Sequence, residues 1–418
     1  MKKIIILVSL FIIIIQINII TFCYEIDNEV IDVNAEIETY SKAEIDKTKT
    51  PNINSRSAIV IDRNSNYILY GKNENNKVKM ASTTKIMTAI VVLETYPLDK
   101  TVEVSKKAAN TGGSRLGLKT GDKISIRDLL YGLMLCSGND AAVCLAENVA
   151  GGIPEFSELM NNKAIELGLV NTNFESPHGL DSNNHYTTAY ELALLSNYAL
   201  NNSTFLNIVG TKKYTVTING YPKAISNTNE LLGSLNGVYG IKTGFTNGAN
   251  RCLVSACKRD EMDIICVVLG ADTKNYRTKD SIKLIEYSFK NFEYFNIKDF
   301  VTTYLANWQN NNPDFFIIEK GNSNNLDIQT NHSIDDCPVI PIKKELIPNI
   351  EATITINNYL QAPIEKGFLL GSLKISSHGI DIVHYDLISN TDINKKNILD
   401  YFYNFLITYP NHLNIKIF

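Results

Sequence analysis

The segment Ala81-Ser82-Thr83-Thr84-Lys85-Ile86-Met87-Thr88-Ala89-Ile90-Val91-Val92-Leu93 carries two signals at once. Ile86, Ala89, Ile90 and Leu93 recur at helical spacing and the run ends near Pro97, which predicts a helix opening at Ser82. Ser82 and Lys85 are three apart, so the hydroxyl and the amine share one helix face about one turn apart. A serine is a weak nucleophile until a base takes its proton, and a desolvated lysine can serve as that base. A serine N-cap followed by a solvated lysine gives the same spacing. Ser255-Ala256-Cys257-Lys258 also repeats it, inside a predicted strand where the geometry fails.

Upstream, Ala58–Ile61 and Tyr67–Tyr70 are β-type runs flanking the turn formers Asp62-Arg63-Asn64-Ser65-Asn66, a hairpin pattern. Downstream, Leu129, Leu130, Leu133 and Met134 form a second apolar helix face, and Asp140–Val149 a third helix closed by Gly151-Gly152. Pro154–Leu167 and Thr188–Leu200 are two more, the latter with a capping-box spacing from Thr188 to Glu191. Tyr214, Val216 and Ile218 alternate as a half-buried strand does. Cys252–Cys257 and Asp263–Leu269 pair across the charged turn Lys258-Arg259-Asp260-Glu261, and Ile282, Ile285, Phe289 and Phe292 mark a closing helix. Strands at both ends of a helical middle predict an α+β domain over residues 55–297. Ala352–Ile356, Phe368–Ile375 and Ile380–Tyr385 place a small all-β domain over residues 298–392.

Two further motifs sit in this frame. Ser137-Gly138-Asn139 lies between predicted helices, where a second hydroxyl can relay a proton and the amide can hold a substrate carbonyl. Lys242-Thr243-Gly244 follows the apolar run Val238–Ile241 as part of a strand, and Gly244 lets a substrate backbone approach closely. Each spacing recurs elsewhere: Ser182-x-Asn184, Ser234-x-Asn236 and Ser323-x-Asn325, and the turn at Lys119-Thr120-Gly121. The order and context single out one set, with Ser82 on a helix, Ser137 between helices and Lys242 on a strand. That set resembles the penicillin-recognising serine enzymes. Ala81–Ala89, Ser137-Gly138-Asn139-Asp140-Ala141 and His178-Gly179-Leu180-Asp181 resemble the D-alanyl-D-alanine carboxypeptidases of the low-molecular-mass penicillin-binding class. Ala362-Pro363-Ile364-Glu365-Lys366-Gly367 is similar to a segment of their C-terminal β domain, so the likeness runs over about residues 55–390.

The resemblance implies a β-lactamase-like domain: an antiparallel sheet flanked by helices, with a helical subdomain. It casts Ser82 as the nucleophile that forms an acyl-enzyme, Lys85 as its base and Ser137 as a proton relay. It gives Asn139, Lys242, Thr243 and Gly244 to substrate binding, the backbone N–H groups of Ser82 and Phe245 to the oxyanion hole, and Arg277 to the terminal carboxylate. Water completes hydrolysis with no cofactor and no metal. The implied partners are peptidoglycan stem peptides and β-lactam antibiotics. The family often has a basic residue after the methionine of the strand turn, whereas Asp263 follows Met262 here, read as a surface difference. A class A β-lactamase would also need a Glu-x-x-Leu-Asn loop, which Glu175-Ser176-Pro177-His178-Gly179 does not match. A catalytically weak wall-binding or antibiotic-sensing protein is the non-enzymatic alternative.

His178 is expected to shape the site as part of a turn, and His185 shows no partner pattern. No CxxC or His-x-x-x-His spacing suggests a metal, and Cys136, Cys144, Cys252, Cys257, Cys266 and Cys337 read as buried thiols. The 418 residues, 44% hydrophobic and 20% charged, suffice for a sizeable core, and a net charge of −4 argues against a nucleic-acid partner. Lys2 and Lys3 before the apolar run Ile4–Ile15, which continues to Phe22, predict a signal peptide over residues 1–23 and export to the outer face of the cytoplasmic membrane or the cell wall. A retained membrane anchor is the competing reading. Residues 24–54 read as an acid-rich tether. At the other end, Ile398, Phe402, Phe405 and Tyr409 share a helical face beside Lys395 and Lys396, giving an amphipathic membrane-anchor candidate over residues 393–418.

Overall fold

The structure, a computed structural model, describes residues 33–35, 50–331, 333–336 and 338–403. The leader, most of the tether, Cys337 and the chain from residue 404 lie outside the described residues. The chain forms two compact units that part between Lys290 and Asn291.

The first unit is organised by five antiparallel strands: β1 (Ser57–Asp62), β2 (Ile68–Lys72), β3 (Val238–Thr246), β4 (Asn250–Arg259) and β5 (Met262–Ala271), in the order β2-β1-β5-β4-β3. Every residue of β5 is buried, as expected of an apolar run in a central strand covered on both faces. The β4–β5 turn carries Asp260 at φ +51, a conformation Asp tolerates better than most residues. This sheet holds the motif strand β3 at its outer position.

Helix α1 (Lys85–Thr95), entered through a 3-10 turn at Ala81–Thr84, is buried from Lys85 through Val92. The one-sided pattern of Ile86, Ala89, Ile90 and Leu93 therefore understates it. A helix apolar nearly all round runs through the core rather than over it. Helices α2 (Ile126–Leu135) and α3 (Asn139–Ala150) pack on each other and on α1, and the short link between them presents Ser137. In α4 (Ala189–Leu200), Thr188 Oγ1 accepts from Glu191 N at 3.0 Å, a cap worth about 1 kcal/mol. The box is only half closed, because the Glu191 carboxylate turns instead to Asn171 N and Thr172 Oγ1. The closing helix α5 spans Lys274–Asn291, and Phe292 begins a strand instead of extending it.

The second unit has its own core of Val301, Leu305, Leu373, Ile375, Leu387 and neighbours. Its main sheet sets Ile328–Thr330, Ile380–Ser389, Leu369–Ser377 and Ile350–Ile356 side by side, the last showing the strict in–out alternation of a half-buried strand. The helix Ile297–Asn311 also belongs to this unit and buries only a narrow stripe of Ile297, Val301 and Leu305. The five described cysteines, Cys136, Cys144, Cys252, Cys257 and Cys266, are all buried, and no disulfide joins them. Burial pushes the Cys144 and Cys257 thiols up to about 12 and the Cys266 thiol higher still.

Candidate active site

The three motifs converge. Lys85 is buried and its Nζ lies 2.7 Å from Ser82 Oγ, 2.7 Å from Asn139 Oδ1 and 3.0 Å from the His178 carbonyl oxygen. Asn139 Oδ1 and the backbone carbonyl can only accept. A neutral amine that gives both of its protons to them turns its lone pair toward the Ser82 hydroxyl, the arrangement a general base needs. Ser82 itself is half-buried and remains open to solvent.

Asn139 stands where its side chain meets both Lys85 and the 112–114 loop. Its Oδ1 accepts from Lys85, its Nδ2 donates to Gly112 O at 2.8 Å, and its backbone N donates to Ser114 O at 2.8 Å. A Cβ on Gly113 would lie 2.5 Å from that Nδ2, so glycine is what lets the 112–114 loop close on the amide. The loop is held from behind by Asp140, fully buried. Its Oδ1 accepts from Leu116 N (2.7 Å) and Ala141 N (2.9 Å), and its Oδ2 from Gly117 N (2.7 Å) and Leu118 N (3.0 Å). Ser137 sits at φ +58 and is 1% exposed, and its hydroxyl has no hydrogen-bond partner among the described residues. Left-handed backbone at a non-glycine residue costs about 1 kcal/mol, and such strain persists where surrounding structure imposes it.

Strand β3 forms the other wall. A Cβ on Gly244 would lie 3.1 Å from Ser82 N and 3.2 Å from Thr83 N, so this backbone passes directly against the turn that carries Ser82. Lys242 is buried with its Nζ 3.0 Å from Thr243 O, and Thr243 Oγ1 is 2.6 Å from Thr228 Oγ1. Thr228 N in turn donates to Leu135 O at 3.0 Å, tying this wall to the end of α2 just before Ser137. Phe245 is exposed, with the Arg251 guanidinium stacked 3.5 Å from its ring centre.

The loop carrying His178-Gly179-Leu180-Asp181 closes the site. Besides its carbonyl contact to Lys85, it accepts from Thr88 Oγ1 at Pro177 O (2.7 Å). Asp181 takes Thr246 Oγ1 (2.7 Å) and Gly248 N (2.8 Å) just beyond Phe245. Burial, with Lys85 nearby, drives the His178 ring down to about 3, so it is neutral in ordinary buffers.

Two expectations meet a different geometry. Arg277 is fully buried, and its guanidinium pairs with Glu230, which also accepts from Thr278 Oγ1. Burial alone would raise the Glu230 carboxyl, but the Arg277 charge and the hydrogen bonds from Thr278, a backbone N–H and Arg277 together outweigh it and hold the group below its ordinary value. Arg277 thus stands inside the fold with an internal carboxylate against it. Asp263 is not a bare surface charge: it is 8% exposed, pairs with Arg63 at 2.9 Å and accepts from Tyr239 OH at 2.6 Å. Asp140 and His185, both in the machinery around Ser82, carried no local signal beyond their neighbourhood in the motifs.

Residues 44–273 match the family model described as D-alanyl-D-alanine carboxypeptidase, and residues 317–395 match the one described as penicillin-binding protein 5, C-terminal domain. The chain is 31% identical over 353 residues to D-alanyl-D-alanine carboxypeptidase DacF of Bacillus subtilis, covering 83% of this chain and 88% of that protein. It is 37% identical over 257 residues to a D-alanyl-D-alanine carboxypeptidase of a Streptomyces species, covering 57% of this chain and 88% of the relative. Among solved structures it is similar to penicillin-binding protein 5 of Haemophilus influenzae, with a TM-score of 0.66 and 28% identity over 83% of this chain and 100% of the other. With Ser82, Lys85 and the Lys242-Thr243-Gly244 strand assembled in one site and these likenesses spanning both units, the chain belongs to the D-alanyl-D-alanine carboxypeptidase family of penicillin-binding serine peptidases.

Proposed function

We propose that this serine-type carboxypeptidase removes the terminal D-alanine of peptidoglycan stem peptides through an acyl-enzyme on Ser82. The contact that carries this reading is the 2.7 Å approach of Lys85 Nζ to Ser82 Oγ, with Asn139 and the His178 carbonyl fixing the lysine. Lys85 takes the hydroxyl proton as Ser82 Oγ attacks the penultimate D-alanine carbonyl. The developing oxyanion is met by the backbone N–H groups of Ser82 and Phe245. The bond to the terminal residue breaks, the leaving amine takes a proton through Ser137, and water then releases the shortened peptide. Lys242, Thr243 and Gly244 line the peptide's path, with Lys242 supplying positive charge beside it. A β-lactam acylates the same hydroxyl.

The β-lactamase alternative finds no support at Glu175, which opens the stretch nearest to its Glu-x-x-Leu-Asn pattern. Glu175 is exposed and its carboxylate accepts from Ser182. The test of the main reading is intact mass after incubation with benzylpenicillin, together with D-alanine release from diacetyl-lysyl-D-alanyl-D-alanine. Wild type should gain one adduct and turn over the peptide, and Ser82→Ala should do neither while keeping its circular dichroism. Stoichiometric labelling of Ser82→Ala would refute the assignment. A labelled but inert wild type would favour the sensor.

The site would work at the outer face of the cytoplasmic membrane, reached by export on residues 1–23 and held there by the C-terminal segment. What supports this is the basic n-region with its apolar run, and the pair Lys395 and Lys396 beside exposed Ile398, Leu399 and Phe402. No helix among the described residues is long and apolar enough to cross a membrane. Leaderless full-length protein should float with anionic liposomes and a version ending at Asp392 should not; equal flotation of the two removes the anchor.

A further inference from the structure

Ala81, immediately before Ser82, adopts φ +47, a left-handed backbone that costs a residue with a Cβ about 1 kcal/mol. Several groups converge on it. Gly179 presses so closely that a Cβ there would overlap the Ala81 carbonyl oxygen and come within 2.5 Å of Thr84 Oγ1. Thr84 Oγ1 donates to the same carbonyl at 2.8 Å. Behind Thr84 stands His185, its Nε2 2.7 Å from Thr84 Oγ1 and its Nδ1 3.0 Å from Glu175 N.

The proton arrangement along this line has one solution. The Glu175 backbone N–H can only donate, so His185 Nδ1 bears no proton and Nε2 must bear one. Nε2–H therefore donates to Thr84 Oγ1, and the threonine's single proton is committed to the Ala81 carbonyl. That carbonyl belongs to the same planar peptide unit as the Ser82 N–H, and in a trans peptide the two point in opposite directions. Whatever fixes the carbonyl fixes the N–H. As one of the first donors of its helical turn, the Ser82 N–H has no intrahelical acceptor. It lies beside Gly244 on the wall along which the peptide would run.

We propose that His185, acting through Thr84, is a positioning residue that aims the Ser82 backbone N–H at the oxyanion formed during acylation. This rests on Ser82 being the nucleophile. His185 is 2% exposed and its ring edge packs on Phe174 at 5.8 Å. Burial brings its ring down to about 4; Asp181 opposes that shift, and Lys85 adds to it. With the neutral His178 as the other nearby titratable ring, His185 keeps its donor tautomer at neutral pH.

The test compares four full-length variants with wild type: His185→Phe, Thr84→Val, the double substitution and His185→Gln, with Ser82→Ala as control. Benzylpenicillin acylation rate, kcat and KM for D-alanine release, and thermal melting are measured for each. Loss of alignment of one oxyanion donor should lower acylation and kcat about tenfold or more in either single variant, with KM within about twofold. The double should be no slower than the slower single, because the two residues form one chain, and His185→Gln, which can accept and donate at once, should recover most of the rate. Single variants that acylate like wild type, a loss confined to KM, or losses that multiply in the double would each overturn the proposal. If His185→Phe does not fold, the isosteric Thr84→Val decides by the same rate criteria. Continued labelling of Ser82→Ala would instead refute the nucleophile on which the inference rests.

Discussion

Asp140→Asn is the sharpest probe of how the site is held. The native carboxylate is fully buried and serves four backbone donors: Leu116 N and Ala141 N at one oxygen, Gly117 N and Leu118 N at the other, all between 2.7 and 3.0 Å. An asparagine keeps one acceptor oxygen, but its amide NH2 then faces two N–H groups. The loss is two charge-assisted hydrogen bonds at roughly 1.5–3 kcal/mol each, less what water recovers when the 116–118 turn opens. A net destabilisation of about 3 kcal/mol follows, or roughly 6–12 °C in melting temperature for a unit of this size. Because Asn139 N donates to Ser114 O on the same loop, the lysine's orienting amide should loosen too, and benzylpenicillin acylation should slow alongside. Scanning calorimetry of wild type and variant, with acylation followed in parallel, measures both. A melting temperature within about 2 °C of wild type would show that the four contacts are not holding the loop.

Asn139→Ala should lower kcat by about 100-fold or more, since Lys85 loses an acceptor that sets its lone pair, and steady-state turnover of the diacetyl peptide reads it directly. His178 and His185 are held near 3 and 4 against an ordinary value of 6.5, so between pH 6.5 and 4 the unfolded chain binds protons that the folded one refuses. Their contribution to stability is whole above pH 6.5 and drains away as the pH falls through that window. Melting temperatures from pH 7 to 4.5 should fall less steeply for His185→Gln than for wild type, and equal slopes would contradict the assignment. Glu230→Gln withdraws the carboxylate charge from fully buried Arg277 and should cost about 3 kcal/mol in urea unfolding, while an unchanged midpoint would show the pair contributes nothing.

What the sequence disclosed and what it hid divide along the distance over which each signal acts. Ser82 and Lys85 are visible because one helical turn brings them together, and Lys242-Thr243-Gly244 because an apolar run places it on a strand. The β4–β5 pair is legible from two apolar stretches and a charged turn. The helix Ile297–Asn311 escapes because its buried stripe is narrow and its Asn-rich end is a poor helix former. Asn139's contact with Lys85, the burial of Arg277 against Glu230, the pairing of Asp263 with Arg63, and the line from Glu175 through His185 to Ala81 all join residues remote in sequence. No periodicity records such meetings; those of Asn139 and His185 arise only when loops 112–118 and 171–188 are laid against the turn and helix that carry Ser82 and Lys85. His185 is the plainest case: nothing beside it in the sequence distinguishes it from a surface histidine.

The buried cysteines have a consequence for how such a chain tolerates its surroundings. Thiol–disulfide exchange proceeds through the thiolate, and a thiol at about 12 is ionised roughly a thousandfold less at neutral pH than one near 8.5. Cys144, Cys257 and Cys266 are thereby shielded twice, by scarcity of the reactive form and by the packing that an oxidant would have to displace. They behave as small apolar groups that happen to contain sulfur. The folded first unit should accordingly keep the same covalent structure in glutathione-reduced and air-oxidised solution, with its stability owed to the core and to no crosslink.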